Sequence, residues 1–120
     1  MDSNLITRLK FLIIRDAWKK FELLDLVAKK LFLTKGIGVA DDKLTSFEFA
    51  LRSAGIAGTN IVLISSIFPP NARLVPRKEG LKLIKPGQIL FSIYSRNQAN
   101  EPNRLISASV GIAQPKDRSK

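Results

Sequence analysis

Apolar residues Ile6, Leu9, Ile13, Ala17, Phe21, Leu24 and Ala28 recur three or four positions apart, so they share one face of a helix predicted over residues 5–30. Lys10, Lys19 and Lys20 fall largely outside that stripe, while Phe11, Leu12, Ile14 and Trp18 widen the apolar surface until it needs a partner. Three readings of this segment stay open: a helix packed on the domain or on a neighbouring subunit, a membrane-surface helix, or an upstream stretch without settled structure. The pattern then shortens. Leu31 to Thr34 read as a strand and Gly36-Ile37-Gly38 as a sharp turn. Phe47, Ala50, Leu51 and Ala54 return to helical spacing, with Thr45 or Ser46 as the cap, Ser53 near the end and Gly55 as the stop. Glu48 lies off the buried side of that helix. Ile61 to Ile64 form a short buried strand that Pro69-Pro70 cannot continue, because proline has no N–H for a ladder.

Beyond the prolines the chain reads as extended, with a brief apolar segment at Arg73-Leu74-Val75 and a turn at Pro86-Gly87. Gln88 to Ser95 alternates Ile89, Phe91 and Ile93 against Leu90, Ser92 and Tyr94, which predicts a strand. Asn97 to Asn103 is a polar loop, and Leu105 to Ala113 is a second strand rich in small residues. This order of elements predicts an α+β fold, with residues 1–28 as a helical extension and 29–120 as one domain. No internal repeat or interdomain linker interrupts it.

Composition narrows the chemistry more than the fold. The 120 residues include no cysteine and no histidine, which excludes disulfides, thiolate nucleophiles and the commonest metal ligands, so no metal is expected. Acid–base work would fall to carboxylates, lysines, Tyr94 or water. The net charge of +10 is uneven: seven Lys/Arg against four Asp/Glu in residues 1–30, three against three in 31–70, and ten against three in 71–120. A basic half of this kind can attract nucleic acid. However, Arg73, Arg77, Lys78, Lys82, Lys85, Arg96, Arg104 and Lys116 are scattered, without a stacking motif, and solvated surface is the better reading. Neither a nucleic-acid nor a membrane partner is expected. No apolar run is long enough to span a membrane or form a signal peptide, so the expectation is a soluble, cytoplasmic protein.

One pair of residues carries distinctive chemistry. Ser65-Ser66 follow the strand directly, within Asn60-Ile61-Val62-Leu63-Ile64-Ser65-Ser66-Ile67-Phe68-Pro69-Pro70. The bland reading is a serine pair closing a strand before a proline turn. The sharper reading is self-cleavage. The Ser66 hydroxyl attacks the Ser65 carbonyl and the amide becomes an ester. β-Elimination then frees the Ser65 carboxylate and leaves a dehydroalanine, whose hydrolysis yields a pyruvoyl group and ammonia. Serine is a weak nucleophile, so the local fold must strain or polarise that bond.

The segment resembles the self-cleavage site of the pyruvoyl-dependent arginine decarboxylases, and the resemblance extends well beyond it. Leu31-Phe32-Leu33-Thr34-Lys35-Gly36-Ile37-Gly38 is similar to the family's opening strand and glycine turn, and Leu44 through Ile56 to its first helix. Gly87-Gln88-Ile89 and Asn100 through Ser109 resemble later segments, so the similarity runs from about Leu31 to Arg118 in the family's order. The family continues through a further strand and a C-terminal helix, and that part carries a glutamate thought to donate the catalytic proton. This chain ends at Ser119-Lys120.

The resemblance implies a layered αββα sandwich, here without its C-terminal elements. It implies cleavage into a β chain of residues 1–65 and an α chain of residues 66–120, with Ser66 as the modified residue and covalent pyruvoyl as the cofactor. L-Arginine would condense with that group as a Schiff base and leave as agmatine and CO2, within a homotrimer or higher oligomer whose active sites lie between subunits. Asn60, six residues before Ser66, matches a family asparagine linked to processing and the active site; as a lone residue it also reads as an ordinary strand start. Glu48 falls where the family places an aspartate that binds the guanidinium, and it also reads as a solvated helix glutamate. Asp41 and Asp42 are further carboxylate candidates. Two alternatives accompany this reading: decarboxylation of another amino acid, and a catalytically impaired shortened paralogue acting as a non-catalytic subunit or regulator.

Overall fold

A computed structural model describes residues 26–117. Of the helix predicted over residues 5–30, the part up to residue 25 lies outside the described residues, while residues 26–29 form no helix and Lys30 begins a strand. Six elements follow one another: β1 (Lys30–Leu31), α1 (Lys43–Ala54), β2 (Asn60–Leu63), β3 (Arg73–Leu74), α2 (Arg77–Leu83) and β4 (Ile89–Ser92). The strands pair in parallel and in an interleaved order, β1 with β3 and β2 with β4. Parallel partners need crossovers. α1 lies within the first of these connections and α2 within the second, so the chain is an α+β protein built from two parallel strand pairs.

α1 forms where the apolar spacing predicted it, but it starts earlier. Asp42 is the cap, its Oδ1 accepting from the Thr45 backbone N–H at 2.8 Å, and Thr45 and Ser46 lie inside the first turn. Hydrogen bonds from Thr45, side chain first and then backbone, hold the Asp42 carboxyl below its ordinary range. A depressed carboxyl adds stability above its unfolded pKa, and that contribution is lost as the pH falls through the folded value. At the other end Gly55 adopts a left-handed φ of 83° and its N–H returns to the carbonyls of Arg52 and Leu51. Arg77, at the start of α2, reaches the same helix end: its Nη2 donates to the carbonyls of Ser53 and Ala54 at 3.2 and 3.3 Å, and its Nε to Thr34 Oγ1 at 2.9 Å. A cation at the negative end of a helix is favourable, and here it also ties three segments together.

Gly36 and Gly38 do not make a turn. Neither has a positive φ; instead the segment lies along α1. A Cβ on Gly36 would stand 1.9 Å from the Ala50 carbonyl oxygen, and one on Gly38 1.9 Å from that of Ser46. The two glycines thus dock on carbonyls one helical turn apart, and close approach is the reason for both. Gly38→Ala is expected to cost about 1–3 kcal/mol through forced separation of that contact. Gly58→Ala, where a Cβ meets nothing within 4 Å, is the matched control. Equal thermal midpoints for the two variants would contradict the close-approach explanation.

α2 occupies a stretch read from sequence as extended. Pro76 precedes it and Glu79 sits in its first turn, both helix-start signals, but Gly80 in the middle weakens the pattern. Gly80 is there because the Phe32 ring covers it: a Cβ would come 2.2 Å from Phe32 Cγ. The predicted strand over Leu105 to Ala113 is not formed. Residues 104–115 have no regular structure, and Leu105 is 97% exposed. A strand requires a partner edge, and none of the described strands meets this segment.

The core is correspondingly small. Among the described residues Ala54 and Ala72 are the buried apolar ones, while Ile37, Val39, Leu44, Leu63 and Ile67 stand largely in solvent.

Candidate functional site

β2 and its continuation organise the site. The ladder to β4 begins before the strand, with Gly87 N–H donating to the Gly58 carbonyl at 2.7 Å, and extends past it, with Ile64 N–H donating to Ser92 at 3.0 Å. Ile64 is the last residue so held. Ser65 and Ser66 follow at once, both exposed, with a bend at Ser66. The turn that Pro69-Pro70 impose comes next: Ala72 N–H closes on the Pro69 carbonyl at 3.2 Å and Asn71 takes a left-handed φ of 61°. The serine peptide therefore sits between a pinned strand and a rigid turn. Neither serine hydroxyl is engaged in a hydrogen bond among the described residues.

Alongside β2 lies a cleft of about 420 Å³, lined by Phe47, Glu48 and Leu51 of α1, by Ala57, Thr59, Asn60, Ile61 and Leu63, and by Tyr94 after β4. Glu48 and Asn60 are brought together there. The helix supplies Glu48 on the turn that also carries the half-buried Phe47 and Leu51, so the carboxylate stands beside the apolar stripe. Its Oε1 accepts from Arg52 Nε at 3.0 Å, an i,i+4 pair. The Asn60 amide is also partly committed: Nδ2 donates to the Gly87 carbonyl at 2.8 Å, pinning the start of β2 to the turn before β4.

The serines stand apart from Asn60. Ser65 lies five positions after Asn60 along an extended chain, which corresponds to about 16 Å. Leu63, which lines the cleft, is two residues from Ser65, so the cleft lies along the strand that the serine pair follows. Asp42 is committed to capping α1, and Asp41 does not line the cleft. No group of three or more His, Cys, Asp or Glu suited to a metal occurs among the described residues.

Two features of the rim were not read from sequence. The Arg96 guanidinium lies over the Phe47 ring, 3.9 Å from its centroid, and donates to Gln98, whose amide donates to the Lys43 carbonyl. Tyr94 meets Phe47 at a centroid distance of 6.4 Å. These contacts fold the segment after β4 over the start of α1 and form one wall of the cleft. They are tertiary, and no local spacing announces them. The Glu48–Arg52 pair, by contrast, is visible as an i,i+4 spacing.

An α+β chain with a carboxylate–amide cleft along the strand that a free serine pair follows is the class that fold and site define. A family model described as pyruvoyl-dependent arginine decarboxylase matches residues 30–120, and the chain belongs to that family. It is 74% identical over 98 residues to the pyruvoyl-dependent arginine decarboxylase of Nitrosopumilus maritimus, covering 82% of this chain and 54% of that protein. The proteins of the same name from Thermoplasma volcanium and Methanococcoides burtonii are 54% and 53% identical, over 78% and 77% of this chain and 52% and 51% of theirs. The chain thus spans about half the length of the curated relatives it matches. The family's pyruvoyl group has a fitting precursor in Ser66, whose hydroxyl is free and whose preceding peptide is exposed at the strand end.

Proposed function

We propose that this chain is the self-processing precursor of an enzyme that decarboxylates L-arginine to agmatine, cleaving itself between Ser65 and Ser66. The supporting observation is the cleft that carries Glu48, Asn60 and Tyr94 together along the strand ending at the serine pair. In this reading, attack by Ser66 Oγ on the Ser65 carbonyl carbon breaks the peptide C–N bond and forms an ester. Elimination of the Ser65 carboxylate and hydrolysis then leave residues 66–120 beginning with pyruvoyl, within a domain of residues 29–120. The group supplies an electron sink for loss of CO2, the part that pyridoxal phosphate plays elsewhere.

The chain's own residues bind and orient. Glu48 takes the guanidinium, a planar cation that a carboxylate matches well. Leu51, Ile61 and Leu63 cover the aliphatic part of the substrate, and Phe47 and Tyr94 close the wall. Asn60 orients the reacting carbonyl. Its distance from Ser65 along the strand favours a site completed between copies, with the cleft of one protomer receiving Ser66 of the next. A homotrimer or higher oligomer in the layered αββα arrangement would also cover the exposed apolar residues Ile37, Val39, Leu63 and Ile67. No helix among the described residues is long and apolar enough to cross a membrane, and a cytoplasmic location belongs to the same reading.

Carboxyl-labelled L-arginine tests the activity. Incubation with the full protein is expected to release labelled CO2 and agmatine in equal amounts, with less CO2 from lysine or ornithine. Release from all three at one rate would contradict guanidinium recognition.

A further inference from the structure

We infer that Arg52 sets how strictly the cleft selects a guanidinium over a simple ammonium, by occupying one oxygen of Glu48. The inference rests on Glu48 being the guanidinium partner. A carboxylate distinguishes arginine from lysine chiefly by geometry: two oxygens can accept two parallel N–H bonds from the guanidinium fork, whereas an ammonium is a point charge satisfied by either oxygen. Here Oε1 already accepts from Arg52 Nε at 3.0 Å, while Oε2 accepts no bond among the described residues. Arg52 does not line the cleft and its side chain is 68% exposed, so it holds Glu48 from outside the rim. With one lone-pair direction of Oε1 taken, a guanidinium entering the cleft has one wholly free oxygen and must share the other with Arg52, so the advantage of its fork is reduced.

The position of the pair supports a role beyond helix stabilisation. Glu48 is 44% exposed and shares the cleft with Phe47 and Leu51, which bracket it on α1. Arg52 lies one turn toward the C-terminal end, where its charge also suits the helix dipole. The helix therefore keeps Arg52 in reach of Glu48 whether or not a ligand is bound, and the incoming cation competes with a tethered guanidinium. Arg52 acts as a positioning residue, since it touches Glu48 and not the ligand.

Agmatine and cadaverine, which share a primary amine and differ in bearing a guanidinium or a second ammonium, separate this effect from general charge. Calorimetric binding of both to the full protein gives an affinity ratio. Removing the Arg52 charge strengthens both ligands, but freeing Oε1 favours agmatine alone. Arg52→Met, which has similar helix propensity, is expected to shift the ratio toward agmatine by roughly 2- to 5-fold, the range of an exposed charged pair. Arg52→Lys, which still donates to Oε1, is expected to keep the wild-type ratio. An unchanged ratio in Arg52→Met, with agmatine binding weakened in Glu48→Gln, overturns the inference and leaves the guanidinium reading standing. Undiminished agmatine binding in Glu48→Gln overturns the reading on which it rests.

Discussion

Ser66→Ala is expected to leave a single uncleaved chain under conditions in which the wild-type protein separates into residues 1–65 and 66–120. The substitution removes one oxygen, and that oxygen is the only atom proposed to attack the Ser65 carbonyl. Packing gives no competing reason for a loss of cleavage. Ser66 is exposed, it lies beyond the last ladder bond from Ile64, and its hydroxyl holds no partner among the described residues. The fold should therefore survive. Ser66→Cys is the informative companion, because a thiol can form the corresponding thioester and restore some cleavage. Denaturing electrophoresis reads all three proteins. Cleavage of Ser66→Ala at the same bond would rule out the hydroxyl as nucleophile.

Glu48→Gln is expected to raise the KM for arginine by about 10-fold while fragment formation proceeds as in wild type. A hydrogen bond to a charged group contributes roughly 1.5–3 kcal/mol. Glu48 is half-exposed and already shared with Arg52, which argues for the lower end of that range. About 1.4 kcal/mol is tenfold in affinity. Processing is unaffected because Glu48 is on α1, while the serine pair follows β2 and does not line the cleft. The substitution is nearly isosteric, so the helix should retain its contacts, losing only the ion pair to Arg52. An unchanged KM would remove Glu48 from the substrate's path, whereas a loss of cleavage would assign it to processing instead.

Much of the local structure was legible because it follows from local rules. The stripe of Phe47, Ala50, Leu51 and Ala54 and the stop at Gly55 define α1, and the alternation around Ile89 and Phe91 defines β4. The serine pair was found at a strand end because Pro69-Pro70 forbid further pairing. The misses have tertiary causes. Gly36 and Gly38 look like turn residues, yet they answer to the carbonyls of Ala50 and Ser46 across a contact that sequence does not display. The stretch read as extended holds α2, whose Gly80 admits the Phe32 ring through a contact the sequence does not display. Leu105 to Ala113 has the composition of a strand, but composition cannot supply an edge to pair with. Asp42 outcompeted Thr45 and Ser46 as the cap because its carboxylate reaches forward to accept from the Thr45 N–H.

The site was legible in parts and not as an assembly. Ser65, Ser66, Asn60 and Glu48 were each identifiable from residue type and from resemblance to the family. That Glu48 and Asn60 share a cleft depends on how α1 packs beside β2, and that Tyr94 joins them depends on the parallel register of β2 with β4. The separation of Asn60 from the serines follows from simple strand geometry and turns attention to contacts between copies. Arg52 was visible only as an i,i+4 partner of Glu48, and Arg96 carried no signal in a chain already rich in scattered cations.

Intact-mass analysis of the purified full protein, followed by sequencing of both ends at the break, bears on self-cleavage without any assay of turnover. Self-cleavage between Ser65 and Ser66 gives one fragment ending in the Ser65 carboxylate. The second fragment begins at position 66 with a carbonyl in place of the amine, blocked to Edman chemistry and reducible by borohydride. A single species of undivided mass, or a second fragment that begins with an ordinary serine amine, would contradict it.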